Sequence, residues 1–278
     1  METPSRQQTV LVTGAGSGIG AAIISRLAGA GYRVVGTVRD PNRAAALTTA
    51  AAAASRPVTF LPLDLASEAS IATLVSALDA DGGPDILVHN AGFGVFGAIE
   101  HVDARLVAGQ FDVNVFGPLG LTRRLLPQLR ARQGRVIWIG SLAGRISLPF
   151  QAHYSATKFA IAAVSDALRM ELKPHGVRVT CIEPGDFATG FTSARTVVQP
   201  ADSPYAAQAA ACLAAVEKQE TGGPSPDWVG NLVERICRMD NPPARVPVGE
   251  NARTLCLLLR LLPDRIREWL VRKTYAQA

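Results

Sequence analysis

The sequence predicts a doubly wound α/β fold, a Rossmann-type parallel sheet with helices packed on both of its faces. Three observations carry that expectation. Short apolar runs rich in β-branched residues alternate with amphipathic stretches of helical length. A glycine-rich turn follows the first run and opens the first helical stretch. Apolar residues make up 48% of the chain and charged ones 18%, which suits a large core and argues against disorder.

Taken in order, the expected strands are 9–13, 33–37, 58–61, 85–89, 135–140 and 177–182, with 245–249 as a last short one. That makes about seven strands. Between them, 19–29, 43–54, 67–78, 104–132 and 152–173 carry the spaced apolar residues of amphipathic helices. The alanine-rich stretch 44–54 is read as a covering helix rather than a linker, because alanine is the best helix former. From 190 to 226 the pattern weakens and Ala, Ser, Gly and Pro accumulate, as in a mobile substrate loop with a helical piece. Residues 250–278 read as a C-terminal extension. With no domain boundary and no internal repeat, a single domain over 1–278 is expected.

The charge balance, 28 basic against 23 acidic residues, is modest and contains no dense Lys/Arg run. Nucleic acid is therefore a poor partner, whereas a phosphorylated small molecule fits. The cysteines Cys181, Cys212, Cys237 and Cys256 lie far apart, with no CxxC pair and no Cys/His ligand cluster. Free thiols in a reducing cytoplasm and no metal are the expectation. The N-terminus lacks a signal pattern, and the apolar run 255–262 is short and broken by Arg260, so no transmembrane segment is expected.

In such sheets ligands sit beyond the carboxyl ends of the strands, so chemistry is sought just after each apolar run. Thr13-Gly14-Ala15-Gly16-Ser17-Gly18-Ile19-Gly20 follows the first. Gly14 permits the tight turn, Gly18 lets a pyrophosphate approach the backbone, and Gly20 lets helix and sheet pack closely. The free amides of this turn, Ser17 and Ile19 included, favour phosphate charge together with the helix dipole. At the end of the second strand the chain reads Gly36-Thr37-Val38-Arg39-Asp40. With Val38 where an acid would meet a ribose hydroxyl, Arg39 can clamp a 2′-phosphate, and NADP(H) is preferred. A one-residue shift would make Asp40 the NAD(H)-type acid, and Asp40-Pro41 also reads as a helix start. Asp64-Leu65 ends the third strand, where the carboxylate meets either an adenine amino group or a helix N-terminus. Asn90-Ala91-Gly92 ends the fourth, small enough for close approach to a ribose; the Asn90 amide can equally tie neighbouring strands.

Ser141 follows the fifth strand, and Tyr154 and Lys158 lie four apart at the start of a helix, on one face. A free phenol titrates near 10, and a nearby ammonium would lower it toward a useful acid/base range. Ser141 can hydrogen-bond the substrate oxygen.

Together, residues 13–20, Asn90-Ala91-Gly92, Asn114, Ser141, Tyr154, Lys158 and Pro184-Gly185 followed by Thr189 resemble the short-chain dehydrogenase/reductase family, in order from about 9 to 189. The resemblance implies a seven-stranded parallel sheet and interconversion of a ketone or aldehyde with an alcohol by hydride transfer. It implies Tyr154 as acid/base and Lys158 as both tuner of Tyr154 and ligand of the nicotinamide ribose. Ser141 would hold the substrate, Asn114 would support a proton-relay water, and Thr189 would bond the nicotinamide carboxamide. A homodimer or homotetramer, joined through 104–132 and 152–173, is implied as well. Two departures stand out: His89 replaces a second Asn, and Ser17 stands where some NADP-preferring members carry a basic residue.

The stretches from Gly140 to Arg145 and from Pro184 to Thr189 resemble the branch containing hydroxysteroid and retinol dehydrogenases. Phe93, Val95, Phe96, Leu142, Phe150, Phe187 and Phe191 are candidate pocket residues, suited to a bulky hydrophobic, steroid- or retinoid-like substrate. His153 reads as a helix-start residue and Arg145 as a surface arginine. The basic, leucine-rich segment 255–271 reads as a helix packed on the domain or a partner, with pocket-capping and peripheral membrane contact as alternatives. A catalytically silent NADP(H) sensor is the competing function, disfavoured by the complete Ser141/Tyr154/Lys158 set. Epimerase or dehydratase chemistry on a nucleotide sugar fits chain length and mid-chain motifs poorly.

Overall fold

The structure is a computed structural model and describes residues 6–80 and 82–275. All seven expected strands form: β1 (Thr9–Val12), β2 (Arg33–Val38), β3 (Val58–Pro62), β4 (Ile86–His89), β6 (Arg135–Ile139), β7 (Arg178–Pro184) and β9 (Arg245–Val248). They make one parallel sheet in the order β3-β2-β1-β4-β6-β7-β9. The order reverses beside β1, so the crevice beyond β1 and β4 is where a ligand fits.

Alternation along each strand feeds two cores. Val10 and Val12 face one side, against α1 (Gly18–Gly29) and α9 (Asp227–Arg238). Leu11 faces the other, with α3 (Glu68–Asp79), α5 (Gly117–Ala131) and α6 (Ala152–Leu172). Capping fixes where helices begin. Asp40 accepts the Asn42 N–H ahead of α2 (Pro41–Ala53), and Ser67 accepts the Ser70 N–H at the start of α3.

Three expectations change. The helix expected over 104–132 is interrupted: α4 (Ala104–Phe111) and α5 are joined by a π-helical turn, Asp112–Phe116. The extra residue turns Asn114 into the interior and brings Gly117 against the Leu65 backbone, where a Cβ would collide. The region 190–226, expected as a mobile substrate loop with a helical piece, is built largely of regular elements. It contains α7 (Phe191–Ala194), β8 (Thr196–Val198), which pairs with β5 (Val95–Gly97), and α8 (Ala206–Thr221). A buried ion pair between Arg195 and Glu220 anchors it, and the Thr192 hydroxyl donates to Glu220 at 2.6 Å. Finally, α9 forms where no helix is expected, although Val229, Leu232, Val233, Ile236 and Cys237 have helical spacing and are all buried. After β9 come α10 (Ala252–Leu261) and α11 (Asp264–Tyr275), the latter packed on α8. No helix among the described residues is long and apolar enough to cross a membrane.

His89 fills its unusual position as a core residue. Its ring stacks on Trp138 at 4.1 Å, and Nε2 lies 2.7 Å from the Thr122 hydroxyl. That hydroxyl donates to the Pro118 carbonyl, so Nε2 carries the proton and donates to Thr122. Burial pushes the imidazole pKa down from 6.5 to about 3. A depressed histidine costs stability in acid, because the unfolded chain takes up a proton that the folded one refuses. Urea unfolding should therefore show stability falling from about pH 6.5 toward pH 3, with a shallower slope in His89→Asn than in wild type.

Candidate active site

The turn between β1 and α1 depends on missing side chains. Gly14 has φ +64°, and a Cβ there would lie 2.7 Å from the Ala91 Cα; one on Gly20 would strike the Gly14 carbonyl. Asn90 serves first as a tie: its amide donates to the carbonyls of Thr13 (3.0 Å) and Gly14 (2.9 Å). The Thr13 hydroxyl in turn accepts the N–H groups of Asn90 and Ala91. Ser17 is the N-cap of α1 but makes no capping bond with its side chain, which leaves the first-turn amides facing the cavity.

One cavity of about 470 Å³ runs along the carboxyl ends of the strands. Its cofactor end is lined by Gly14, Ser17, Gly18, Ile19, Gly20, Arg39, Asp64, Leu65, Asn90, Ala91 and Gly92. Val38 is the last residue of β2, in register with Pro62 of β3. Asp40, one step beyond Arg39, is an exposed N-cap spent on Asn42. Arg43, which the strand-end reading passes over, also lines the cavity and donates to the Gly16 carbonyl at 2.8 Å. It stands four residues after Arg39, a spacing that was there to be used. Asp64 is not the cap of α3, since Ser67 is; its carboxylate accepts the Ala66 N–H instead.

The reacting end brings Ser141, Tyr154 and Lys158 to the same wall, with Pro184, Gly185 and Thr189 opposite the dinucleotide turn. A Cβ on Gly18 would touch Thr189 at 3.3 Å. Ser141 accepts the Ala143 N–H at 3.0 Å and hydrogen-bonds Tyr154. Lys158 is buried, donates to the Ile139 carbonyl at 3.1 Å, and lies 5.6 Å from the centre of the Tyr154 ring. Burial draws the ammonium down to about 8. The expectation of a phenol made acidic by its lysine is corrected here. Burial raises Tyr154 to about 12, opposed by the Ser141 hydrogen bond, with Glu220 raising it further. Desolvation by burial is the largest cause, and the Lys158 ammonium donates to the Ile139 carbonyl rather than to the phenol.

Asn114 stands behind the wall. Its amide donates to the Phe93 carbonyl (3.0 Å) and the Thr157 hydroxyl (3.1 Å), and its oxygen accepts the Phe93 N–H. The side chain thus positions the Phe93 segment against α6.

Of the candidate substrate residues, Phe93, Phe187 and Phe191 line the cavity, and the Phe191 ring lies 5.6 Å from that of Tyr154. Phe96 and Val95 do not: both are fully buried, Phe96 in a satellite core with Ala209, Cys212 and Val216. Phe150 packs on that core, 5.7 Å from the Phe96 ring, rather than on the cavity. The pairing of β5 with β8 draws this strand into the core. Leu142 turns into a second cavity of about 860 Å³, which it shares with Ser141 and Asp186. Arg145 is no free surface charge, because it pairs at 2.6 Å with Glu183, which is buried. His153 sits in the first turn of α6, as read.

Three polar residues of the main cavity lay beyond sequence reasoning: Asp186, Glu220 and Tyr275. Burial, then the neighbouring Glu220, raises the Asp186 carboxyl to about 6. Tyr275 is raised by burial and then by Asp186. The end of α11 therefore does close over the pocket.

A parallel seven-stranded sheet, a glycine turn at its switch point and a Ser/Tyr/Lys wall beyond β6 define a nicotinamide-dependent dehydrogenase or reductase. The short chain dehydrogenase family model matches residues 8–198, and the chain belongs to that family. It is 33% identical over 274 residues to a 3-ketodihydrosphingosine reductase from Bacteroides thetaiotaomicron, covering 97% of this chain and 98% of that one. A solved short-chain dehydrogenase from Streptomyces avermitilis is 31% identical, with a TM-score of 0.82 over 97% of each chain. A metagenomic short-chain oxidoreductase solved with NADP is 29% identical, with a TM-score of 0.69 over 87% of this chain and 96% of that one.

Proposed function

We propose that this protein uses NADPH to reduce the ketone of a long-chain, amine-bearing lipid, and that Tyr154 supplies the proton. The single observation that carries the reading is the continuous cavity. It runs from Arg39 and Arg43, past Ser141, Tyr154 and Lys158, into an apolar pocket that holds two carboxylates. NADPH, when bound, supplies the hydride. The residues fit it: glycine-turn amides for the pyrophosphate, Arg39 and Arg43 for a 2′-phosphate, Lys158 for the nicotinamide ribose, and Thr189 for the carboxamide.

Tyr154, protonated at neutral pH because burial holds its pKa near 12, gives its proton to the carbonyl oxygen as the carbonyl carbon is reduced. Ser141 hydrogen-bonds that oxygen and stabilises its developing charge. A phenol so reluctant to ionise suits reduction better than oxidation near pH 7. Asn114 holds the Phe93 segment in place, and in this reading it supports a proton-relay water.

The relative matched over nearly its whole length acts, by its name, on a long-chain amino ketone. Phe93, Phe187, Phe191 and Val216 suit a hydrocarbon chain, and Asp186 with Glu220 suits an ammonium near the carbonyl. This favours a sphingoid-type ketone over a steroid or retinoid. Glu220 is already paired with Arg195, which leaves Asp186 as the main counter-ion. In an assay that follows NADPH loss, wild type should prefer a long-chain 2-amino-3-ketone to the neutral ketone of equal length. Asp186→Asn should lower kcat/KM about 10-fold for the amino ketone alone, as for a lost charge-assisted contact. Because the Asp186 pKa is raised to about 6, the wild-type preference should fade below that pH. Equal losses on both ketones would remove Asp186 from recognition. Tight NADPH binding without turnover of any ketone would support a sensor instead. Phe116, and Phe159 and Met170 on α6, are exposed apolar residues that support pairing with a second copy through this side of the molecule.

A further inference from the structure

The last two helices leave an apolar face uncovered. On α10, Ala252, Cys256 and Leu259 turn inward beside β9, while Leu257, Leu258 and Leu261 stand 60, 49 and 72% exposed. On α11, Tyr275 turns inward, while Ile266 and Trp269 stand 44 and 57% exposed. Five large apolar side chains in thirteen residues, grouped along two consecutive helices, far exceed the scattered leucines of an ordinary surface. Among the described residues nothing covers them. They belong to other elements than Phe116, Phe159 and Met170, the apolar residues that support pairing with a second copy.

The charge around this face is one-sided. Arg253, Arg260, Arg265, Arg267, Arg272 and Lys273 stand against Asp264 and Glu268 over residues 252–275. Arg267 pairs with Asp264, whereas Arg253, Arg260 and Arg265 are exposed and have no acidic partner among the described residues. Lys273 lies over the Trp269 ring at 5.1 Å. Exposed leucine, isoleucine and tryptophan along two consecutive helices, with arginine beside them, is the composition of helices that lie in a bilayer interface. Apolar groups then enter the acyl boundary and the cations meet anionic headgroups.

A path joins this face to the chemistry. The second cavity, about 860 Å³, is lined by the half-buried, inner residues Ser141, Asp186 and Tyr275 and by the exposed Leu255 and Thr274. Leu255 belongs to α10, and Thr274 and Tyr275 to α11. The inner residues also line the catalytic cavity.

We propose that α10 and α11 form a docking surface for an anionic lipid bilayer, and that the second cavity admits a membrane-dissolved substrate to Ser141 and Tyr154. The docking stands on exposure and charge alone; the admission of substrate rests on the lipid ketone proposed above. Burying five apolar side chains while the guanidinium groups stay at headgroup level removes the cost that this face carries in water.

The test is flotation of the intact chain with vesicles of phosphatidylcholine containing phosphatidylglycerol, and with phosphatidylcholine alone. Wild type should float with the anionic vesicles and partition at least 10-fold more weakly to neutral ones or in high salt. In a Trp228→Phe background, Trp269 fluorescence should shift to the blue on binding, since Trp138 is already buried. The variant Leu257→Ser/Leu261→Ser/Trp269→Ser should stay in solution while reducing a short, water-soluble ketone at the wild-type rate, which shows that it folds. Its rate on long-chain ketone presented in anionic vesicles should fall at least 10-fold. Wild type that fails to float, or floats equally with neutral vesicles, overturns the docking. A monomer–dimer shift caused by the triple variant, without wild-type flotation, assigns the face to a second copy. Flotation with unchanged rates on vesicle-borne ketone overturns the entry route. Flotation with no turnover of any long-chain ketone points instead to an error in the substrate class.

Discussion

Tyr154→Phe is expected to lower turnover by roughly 10³-fold, while the Kd for NADPH stays within a few-fold. The ring would keep its contacts: Phe191 at 5.6 Å, Lys158 beneath it and α6 behind it. Only the hydroxyl goes, and with it the proton that the reduced oxygen needs and the partner of Ser141. Stopped-flow measurement of NADPH oxidation, with cofactor binding followed separately by fluorescence, separates the two effects. Activity within 10-fold of wild type would require another proton source, and Lys158 and Tyr275, which line the same cavity, would be the groups to replace next. The phenol should also leave its mark on pH. As it ionises only near 12, the phenol stays a proton donor through neutral pH, and the first alkaline fall in the rate of reduction should follow loss of the Lys158 charge near 8.

The double variant Arg39→Ala/Arg43→Ala should raise KM for NADPH by about 10- to 100-fold and leave KM for NADH nearly unchanged. Charge-assisted contacts to a phosphate contribute about 1.5–3 kcal/mol each, and two cations sharing one phosphate give less than twice that. Arg39 and Arg43 both line the cavity where β2 ends, whereas Asp40, which accepts the Asn42 N–H, does not. Each single variant assigns the share. A larger effect of Arg43→Ala would fit its contact with the Gly16 carbonyl, which holds it close to the glycine turn. Parallel changes in both cofactors would mean that the pair supports the turn and does not read the phosphate.

Much of the architecture was legible because it rests on local rules. β-Branched runs of four to seven residues became strands, and their period-two alternation already divided Val10 and Val12 from Leu11. Gly14 and Gly20 were legible for the same reason: each is a place where a Cβ has no room, and the residue type records it. Helix α9 was legible in principle, since its five buried residues have helical spacing, but the Gly/Pro-rich stretch before it hid the start.

Other features needed the assembled fold. Phe96 and Phe187 are both buried aromatic residues after a strand-like run, yet only Phe187 also lines the cavity. What separates them is the pairing of β5 with β8, a contact across about a hundred residues. Asp186, Glu220 and Tyr275 come from three distant elements and meet only once α8 and α11 close over β7.

By itself the sequence determined the parallel sheet, the dinucleotide turn and the order of Ser141, Tyr154 and Lys158, because spacing within a strand, turn or helix is set by backbone geometry. Only the tertiary structure decided which side chains lose their water. That is why the phenol stands near 12 and not below 10, why Asp186 stands near 6, and why Leu257, Leu258 and Leu261 of α10 remain outside. Desolvation depends on everything packed around a group, and no stretch of chain carries that information alone.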